Sequence, residues 1–313
     1  MKILLLGGNG QLGWELRRSL AVLGELSAPT RRPASEAAST DASMQDGLCG
    51  DLEDLAGLAA AVRRLRPDAI VNAAAYTAVD RAESERSKAH HINALAVGVL
   101  AEEAERCGAW LIHYSTDYVF NGAGNKPWTE QDQCAPLNVY GASKLEGETL
   151  AQRHCKRHLI LRTSWVYASH GGNFARTMLR LAGERDELKV VDDQIGAPTG
   201  ADLIADVTAH ALRQLQTQPE LAGLYHLSAG GETSWFGYAR HVLGVAERAG
   251  WPLRVRPEQV LPVPSSAFPS AAARPHNSRL DSSRLRAAFG LHLPDWTIGV
   301  ERMLAESLGP AKA

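Results

Sequence analysis

Four apolar residues, Ile3, Leu4, Leu5 and Leu6, run straight into Gly7, and glycine returns at positions 10 and 13. The apolar positions that follow, Leu12, Leu16, Leu20 and Leu23, fall at helical spacing. A buried strand that passes at once into a helix leaves little room for the turn. Glycine is the residue that lets one stretch of backbone lie directly against another there. The spacing is GxxGxxG rather than GxGxxG, but its place between strand and helix is that of a dinucleotide-binding turn. In such a turn, N–H groups at a helix N-terminus meet a pyrophosphate. Gly7, Gly10 and Gly13 are therefore candidate cofactor residues.

About 20 residues further on, an acid commonly holds the adenosine ribose of NAD, whereas an arginine suits the extra phosphate of NADP. The chain offers Thr30-Arg31-Arg32, with no acid between Glu25 and Glu36. Arg31 thus predicts a preference for NADPH over NADH, with a merely solvated loop arginine as the plain alternative.

Strand and helix patterns keep alternating. Residues 2–6, 68–71, 110–114 and 159–162 read as strands; residues 11–23, 87–107 and a segment within 136–155 read as helices. Such alternation implies an α/β fold with a doubly wound parallel sheet of the Rossmann type, covered by helices on both faces. Past Ser164 the rhythm loosens into Gly171-Gly172, Gly196-Ala197-Pro198, Gly230-Gly231 and a run carrying Pro262, Pro264, Pro269 and Pro275. This reads as a smaller C-terminal substrate-binding lobe, with helices at 202–215, 234–249 and near 298–308. The expected division is 1–165 for the nucleotide-binding domain, whose sheet can take in later segments, and 166–313 mainly for the lobe. The Ala/Ser-rich stretch 33–43 reads as a mobile loop.

Composition narrows the partners. In 313 residues, 33 Lys+Arg against 35 Asp+Glu give a net charge of −2, which speaks against a nucleic-acid binder and against a disordered chain. Cys49, Cys107, Cys134 and Cys155 lie far apart with no CxxC pair, as befits a reducing compartment. The first apolar run is too short for a secretory segment, and no stretch approaches the ~18 apolar residues of a membrane span. A cytoplasmic protein without nucleic-acid or membrane partners is expected.

Tyr140 and Lys144 stand at i, i+4, which on a helix puts both on one face, one turn apart. A free phenol titrates near ~10. An ammonium beside it favours the phenolate and lowers that value, so Tyr140 is then suited to protonate a carbonyl oxygen as hydride arrives. A chance surface pair is the plain alternative. Upstream, His113-Tyr114-Ser115-Thr116-Asp117 closes a strand and places hydroxyls at the C-terminal edge of a parallel sheet, where ligands bind.

Taken in order, the segments 7–13 with Trp14-Glu15-Leu16, 72–80 (NAAAYTAVD), 115–120 (STDYVF), 140–144 (YGASK), 162–167 (RTSWVY), 193–199 (DQIGAPT) and 274–278 (RPHNS) resemble the extended short-chain dehydrogenase/reductases over nearly the whole chain. The resemblance implies Thr116, Tyr140 and Lys144 as the catalytic set. Thr116 would hydrogen-bond the substrate oxygen, Tyr140 would donate the proton, and Lys144 would tune Tyr140 and hold the nicotinamide ribose. It also implies cofactor contacts at Gly10, Gln11 and Leu12, at Asp51 and Leu52 near the adenine, at Ala75, Tyr76 and Thr77, and at Tyr114. A sugar nucleotide is implied at Thr116, Asp117 and Trp165. Asp51 as a helix cap and Trp165 as simple packing are the plain alternatives. Arg274 is the candidate for a diphosphate partner, with a structural salt bridge as its alternative. Two departures from the family pattern stand out: no acid follows the second strand, and Tyr76 replaces a common histidine.

Dehydratases of this family carry Asp-Glu after the threonine, because eliminating water needs an acid and a base besides the tyrosine. Here Tyr118 replaces that Glu. Reduction needs only hydride, one proton donor and orientation. The resemblance therefore implies reduction, by NADPH with NADH as the alternative, of the C4 keto group of dTDP-4-dehydro-6-deoxy-L-mannose to give dTDP-L-rhamnose. Another sugar-nucleotide reductase or an epimerase is the near alternative. From a different class comes a non-catalytic nucleotide-binding subunit resembling the regulatory subunit of methionine adenosyltransferase; intact Thr116, Tyr140 and Lys144 argue against it. Some relatives gather carboxylates around Mg²⁺ at a homodimer contact, and Glu15, Asp202 and Glu306 fall at comparable places.

Overall fold

The computed structural model describes residues 1–31 and 47–308. The loop expected at 33–43, and Arg32, lie outside the described residues. Ile3, Leu4, Leu5 and Leu6 are wholly buried. Strand β1 (Lys2–Leu6) is thus covered on both faces, which is why its apolar run is continuous rather than alternating. It pairs in parallel with β2 (Glu25–Ser27) on one side and with β3 (Ala69–Asn72) on the other. Beyond β3 come β4 (Trp110–Thr116) and β5 (His158–Thr163), again parallel. The sixth strand, Gly223–His226, comes from far along the chain and closes the edge beside β5. Since the chain leaves β1 towards β2 and then returns to β3 on the opposite side, the order reverses between β1 and β3. A crevice opens there at the C-terminal strand ends.

Helices cover both faces. On one, α1 (Gln11–Ala21) and the helix Ala201–Leu215 bring Leu16, Leu20, Ile204, Val207 and Leu212 onto Ile3 and Leu5. On the other, α2 (Leu55–Leu65), Ala96–Cys107 and Val139–His154 cover Leu4, Leu6 and Ile160. The helix expected at 202–215 in the C-terminal lobe therefore belongs to the sheet layer, because its apolar stripe fits against α1. A separate core holds Ala175, Leu179, Tyr238, Val242, Leu243, Val300 and Leu304, from the helices Phe174–Glu184, Trp235–Arg248 and Trp296–Leu308.

Three local features differ from the sequence reading. The helix expected at 87–107 is interrupted by a π-helical turn, His91–Leu95, between Arg86–His90 and Ala96–Cys107. Such a turn inserts a residue and re-aims a side chain, here Asn93, into the interior. The elements β2 and α2 carry too short or too alanine-rich a pattern to stand out. Asp51 does not cap α2: that cap is Asp54, whose Oδ1 accepts from Gly57 N at 2.8 Å, while Asp51 Oδ1 accepts from Glu53 N at 3.0 Å in the preceding turn. Among the described residues, no helix is long and apolar enough to cross a membrane.

Candidate active site

The C-terminal ends of the strands open into a cleft of about 1340 Å³. Its walls are the loop after β1, the segments following β3, β4 and β5, and the first turns of Val139–His154. The β1–α1 loop is wedged in place. Gly7 has φ +78°, and a Cβ there would stand 2.6 Å from Ala74 N. A Cβ on Gly13 would stand 2.0 Å from Gly7 O, so that glycine serves close packing of helix on loop and does not itself reach the cleft. The first turn of α1 has no side-chain cap, and Gly10, Gln11 and Leu12 line the cleft. Uncapped N–H groups facing a cavity fit an anionic phosphate.

Of the other cofactor candidates, exposed Arg31 lines the cleft beyond the end of β2, and Ala75, Thr77 and Tyr114 line it too. The Tyr114 hydroxyl is engaged by Thr208 Oγ1 at 2.8 Å. Asp51 and Leu52 stand back from the lining; Gly50 takes their place and Leu52 joins the core. Tyr76 also stands back, its hydroxyl donating to Glu85 at 2.8 Å. Its backbone is clamped by Asn93, whose Oδ1 accepts from Tyr76 N at 2.8 Å and whose Nδ2 donates to Tyr76 O at 3.0 Å. Asn93 Nδ2 also reaches Ser143 Oγ at 3.0 Å, tying the loop after β3 to the Tyr140 helix.

The Tyr140 helix begins under tight control. Asn138 caps it, accepting from Gly141 N at 2.8 Å. A Cβ on Gly141 would lie 2.1 Å from Tyr118 O, so the helix start rests on the Tyr118 backbone and only glycine can follow Tyr140. The Tyr140 and Tyr118 rings meet edge to face at 5.7 Å. Thr116, at the end of β4, accepts from Tyr118 N at 3.2 Å and donates to Asp117 Oδ1 at 3.1 Å. Thr116, Asp117, Tyr140 and Lys144 all line the cleft together.

The electrostatics differ from the sequence reading. Burial pushes the Tyr140 phenol up to about 12, the Thr116 hydroxyl pulling the other way and the Asp117 carboxyl adding to the rise. Lys144 is not among the groups that shift it, and its Nζ lies 3.2 Å from His113 Nε2. Burial also brings Lys144 down to about 8, opposed by Glu148. Asp117 is raised to about 7 by burial, against hydrogen bonds from Ser278 and Thr116.

Several cleft groups have no partner within the chain: Ser115 Oγ, Asp117 Oδ2, Thr163 Oγ1 and Ser164 Oγ are buried and unsatisfied. Buried polar atoms are normally hydrogen-bonded, so this arc is shaped for a polar ligand. Thr163 and Ser164 were missed in the sequence, although a hydroxyl pair at a strand end is the same signal that drew notice at 115–116. Trp165 follows them with φ +49°, a left-handed conformation that costs a bulky residue roughly 1–2 kcal/mol. Its ring stacks on Trp235 at 3.6 Å and 14°, and a Cβ on Gly196 would come within 2.8 Å of it. Both tryptophans line the cleft, so Trp165 packs and faces the cavity at once. Trp235 had no distinguishing signal in the sequence.

Arg274 lies outside the lining and is paired with Asp80 at 2.6 Å. Glu15, Asp202 and Glu306 are held by arginines: Arg18 lies 3.6 Å from Glu15, and Arg302 lies 3.4 Å from Asp202 and 3.1 Å from Glu306. Among the described residues, no three His, Cys, Asp or Glu side chains converge as a metal site.

Comparison with known proteins gives a consistent result. The family described as RmlD substrate binding domain matches residues 1–308. The chain is 55% identical over 306 residues to the dTDP-4-dehydrorhamnose reductase of Shigella flexneri, covering 98% of each. It is likewise 55% identical over 306 residues to that of Escherichia coli strain K12, again over 98% of each. The crystal structure of the dTDP-4-dehydrorhamnose reductase from Bacillus anthracis, in complex with NADP, superimposes with a TM-score of 0.82. It is 34% identical, with 97% of this chain and 99% of that one covered.

Proposed function

The chain belongs to the RmlD substrate binding domain family, and on that premise we propose that it reduces the C4 keto group of dTDP-4-dehydro-6-deoxy-L-mannose with NADPH, giving dTDP-L-rhamnose. The observation that carries this reading is the convergence of Thr116 and Tyr140 in the cleft that the uncapped first turn of α1 also lines, with a tyrosine at 118 in place of a second acid. The relatives' shared name and the NADP-bound neighbour support the same reaction.

The residues present fit a nicotinamide dinucleotide. Gln11 and Leu12 would hold the pyrophosphate on backbone N–H groups, Gly10 N being already given to Gly7 O at 2.9 Å, and Arg31 would meet the adenosine 2′-phosphate. When bound, the reduced nicotinamide supplies the hydride that C4 accepts. The chain's own residues do the rest. A phenol raised to about 12 holds its proton throughout the neutral range and gives it up to a basic alkoxide oxygen, as a general acid must. Thr116 Oγ1 orients that oxygen. Lys144 Nζ, when protonated, supplies positive charge that favours the phenolate left on Tyr140. The arc of Ser115, Asp117, Thr163 and Ser164, with Trp165 beside it, offers hydrogen bonds and an aromatic face to the sugar. The stacked Trp165–Trp235 pair walls this side of the cleft.

The test is product identity. Purified protein incubated with the 4-keto sugar nucleotide and NADPH should lose absorbance at 340 nm and yield dTDP-L-rhamnose. Cofactor binding without oxidation would sink the reading, and higher kcat/KM with NADH would sink its cofactor part.

A further inference from the structure

Thr116 has more partners than its hydroxyl can serve in one arrangement. A hydroxyl offers one hydrogen and two lone pairs. Tyr118 N, 3.2 Å from Oγ1, is a backbone donor and occupies one lone pair in every state of the site. Asp117 Oδ1, 3.1 Å away, receives the hydrogen while the carboxyl is ionised. What then faces the cleft is the second lone pair. The C4 oxygen of the substrate, as ketone or as alkoxide, can only accept, so a threonine in this state meets it with repulsion instead of a hydrogen bond.

The carboxyl beside it stands where a neutral acid is favoured. Asp117 is 2% exposed, and its Oδ2 has no partner within the chain. The Thr116 and Ser278 hydroxyls and its own backbone bear on it, and among the described residues no cation offsets the cost of burying its charge. The titratable and charged groups around it are Tyr118 in its own turn, Tyr140 on the Val139–His154 helix, and the Arg274–Asp80 pair beyond Tyr118. Lys144, one turn past Tyr140, is directed to His113, and His276, two residues before Ser278, to the Asp193 backbone carbonyl at 2.9 Å. Burial raises Asp117 to about 7, so acid and carboxylate are both accessible near neutrality.

We propose that Asp117 is a positioning residue that acts as the neutral acid: protonated on Oδ1, it donates to Thr116 Oγ1, and the threonine hydrogen turns outward to the C4 oxygen. The 3.1 Å hydrogen bond is kept and only its direction reverses, so no heavy atom has to move. Oδ2 keeps its lone pairs for a sugar hydroxyl. The neutral form helps in a second way, because an ionised carboxyl opposes the phenolate left on Tyr140. This rests on the reading of Thr116 as the donor to the oxygen that is reduced.

The pH dependence of kcat/KM, which reports groups of the free enzyme, tests the switch. With Asp117 at about 7 and Lys144 at about 8, wild-type kcat/KM should fall about 20-fold from pH 6 to pH 8, about tenfold from the first group and about twofold from the second. Asp117→Asn offers Thr116 a permanent amide donor, so its fall should shrink to about twofold. Thr116→Val has no hydrogen to turn; it should be slow throughout, and its fall should also be about twofold. A 20-fold fall that survives in either variant overturns the proposal: in the first the step belongs to another group, and in the second Asp117 acts on something other than Thr116. Infrared difference spectra of the unliganded protein over the same range should show a protonated carboxyl stretch that fades with a midpoint of about 7 and is missing in Asp117→Asn. A carboxyl already ionised at pH 6 overturns the proposal as well. The spectrum needs no turnover, so a failed reductase assay and an ionised Asp117 remain distinct results.

Discussion

Replacing Gly13 by alanine tests the wedge that sets the phosphate loop. The added Cβ would stand 2.0 Å from Gly7 O and 2.7 Å from both Gly7 C and Gly8 Cα. Contacts under 3.0 Å are essentially never seen for a real Cβ, so loop and helix must part by at least 1 Å (3.0 less 2.0). The atoms in the way are backbone, and the loop cannot retreat, since Gly7 already lies against Ala73 and Ala74. Overpacking of this kind costs about 1–3 kcal/mol. The gain in helix propensity from glycine to alanine returns roughly 1 kcal/mol. A net loss of up to about 2 kcal/mol corresponds, at roughly 2.1 cal/mol/K per residue, to a fall in Tm of up to about 3 °C. The N–H groups of the first turn move with the loop, and losing one charge-assisted hydrogen bond, about 1.5–3 kcal/mol, weakens NADPH binding roughly 10- to 100-fold. Thermal melts and a calorimetric NADPH titration measure both effects. Gly183→Ala is the internal control: its Cβ meets nothing nearer than Pro252 O at 3.7 Å, in a helix, so it should raise Tm slightly and leave the NADPH Kd alone. If Gly13→Ala melted and bound NADPH like Gly183→Ala, the wedge would not be what places the loop.

Other outcomes follow from the same geometry. Tyr140→Phe should lower kcat by about 10²–10⁴ with little change in NADPH Kd, as measured by steady-state kinetics and titration. Arg31→Ala should reduce kcat/KM with NADPH while sparing that with NADH; equal losses would remove Arg31 from 2′-phosphate recognition. Asp117, raised to about 7 in the fold against ~3.9 unfolded, leaves the native state holding more protons between those values, so stability should fall as pH rises through that window. Asp117→Asn should therefore raise Tm at pH 8 and change it little at pH 4, and equal effects at both would refute the assignment. Glu148→Gln strands the buried Arg162 guanidinium and should cost about 3–5 kcal/mol in denaturant unfolding.

The sheet and the cleft were readable because burial on both faces and tight turns write themselves into local patterns. The run at residues 3–6, the glycine triple and the Tyr140–Lys144 spacing each follow from one element's own geometry. What escaped notice depends on pairing between distant segments. Gly223–His226 is a strand only because β5 offers it an edge, and β2 is three residues long. Asn93 is the clamp of a π-helical turn, satisfied by the Tyr76 backbone and Ser143, and neither partner is near it in sequence. The helix cap offered for Asp51 as the alternative to a cofactor contact falls instead to Asp54, because the chain turns once more.

The electrostatics of Tyr140 show where reading by spacing stops. Four residues on a helix bring a phenol and an ammonium to one face, and that much is geometry. Whether the ammonium acts on the phenol depends on what else competes for it, and here His113 lies within 3.2 Å of Nζ. His113 belongs to β4, and its other ring nitrogen lies 3.3 Å from Asn72 Nδ2 on β3. In the chain alone, burial raises the Tyr140 pKa, with the Asp117 carboxyl adding to the rise and the Thr116 hydroxyl opposing it. A high value suits this reaction better than a low one, because the group that must be protonated is an alkoxide and the donor must still carry its proton when that alkoxide forms. The lysine is therefore needed less to make Tyr140 acidic at rest than to balance the phenolate once the proton has gone.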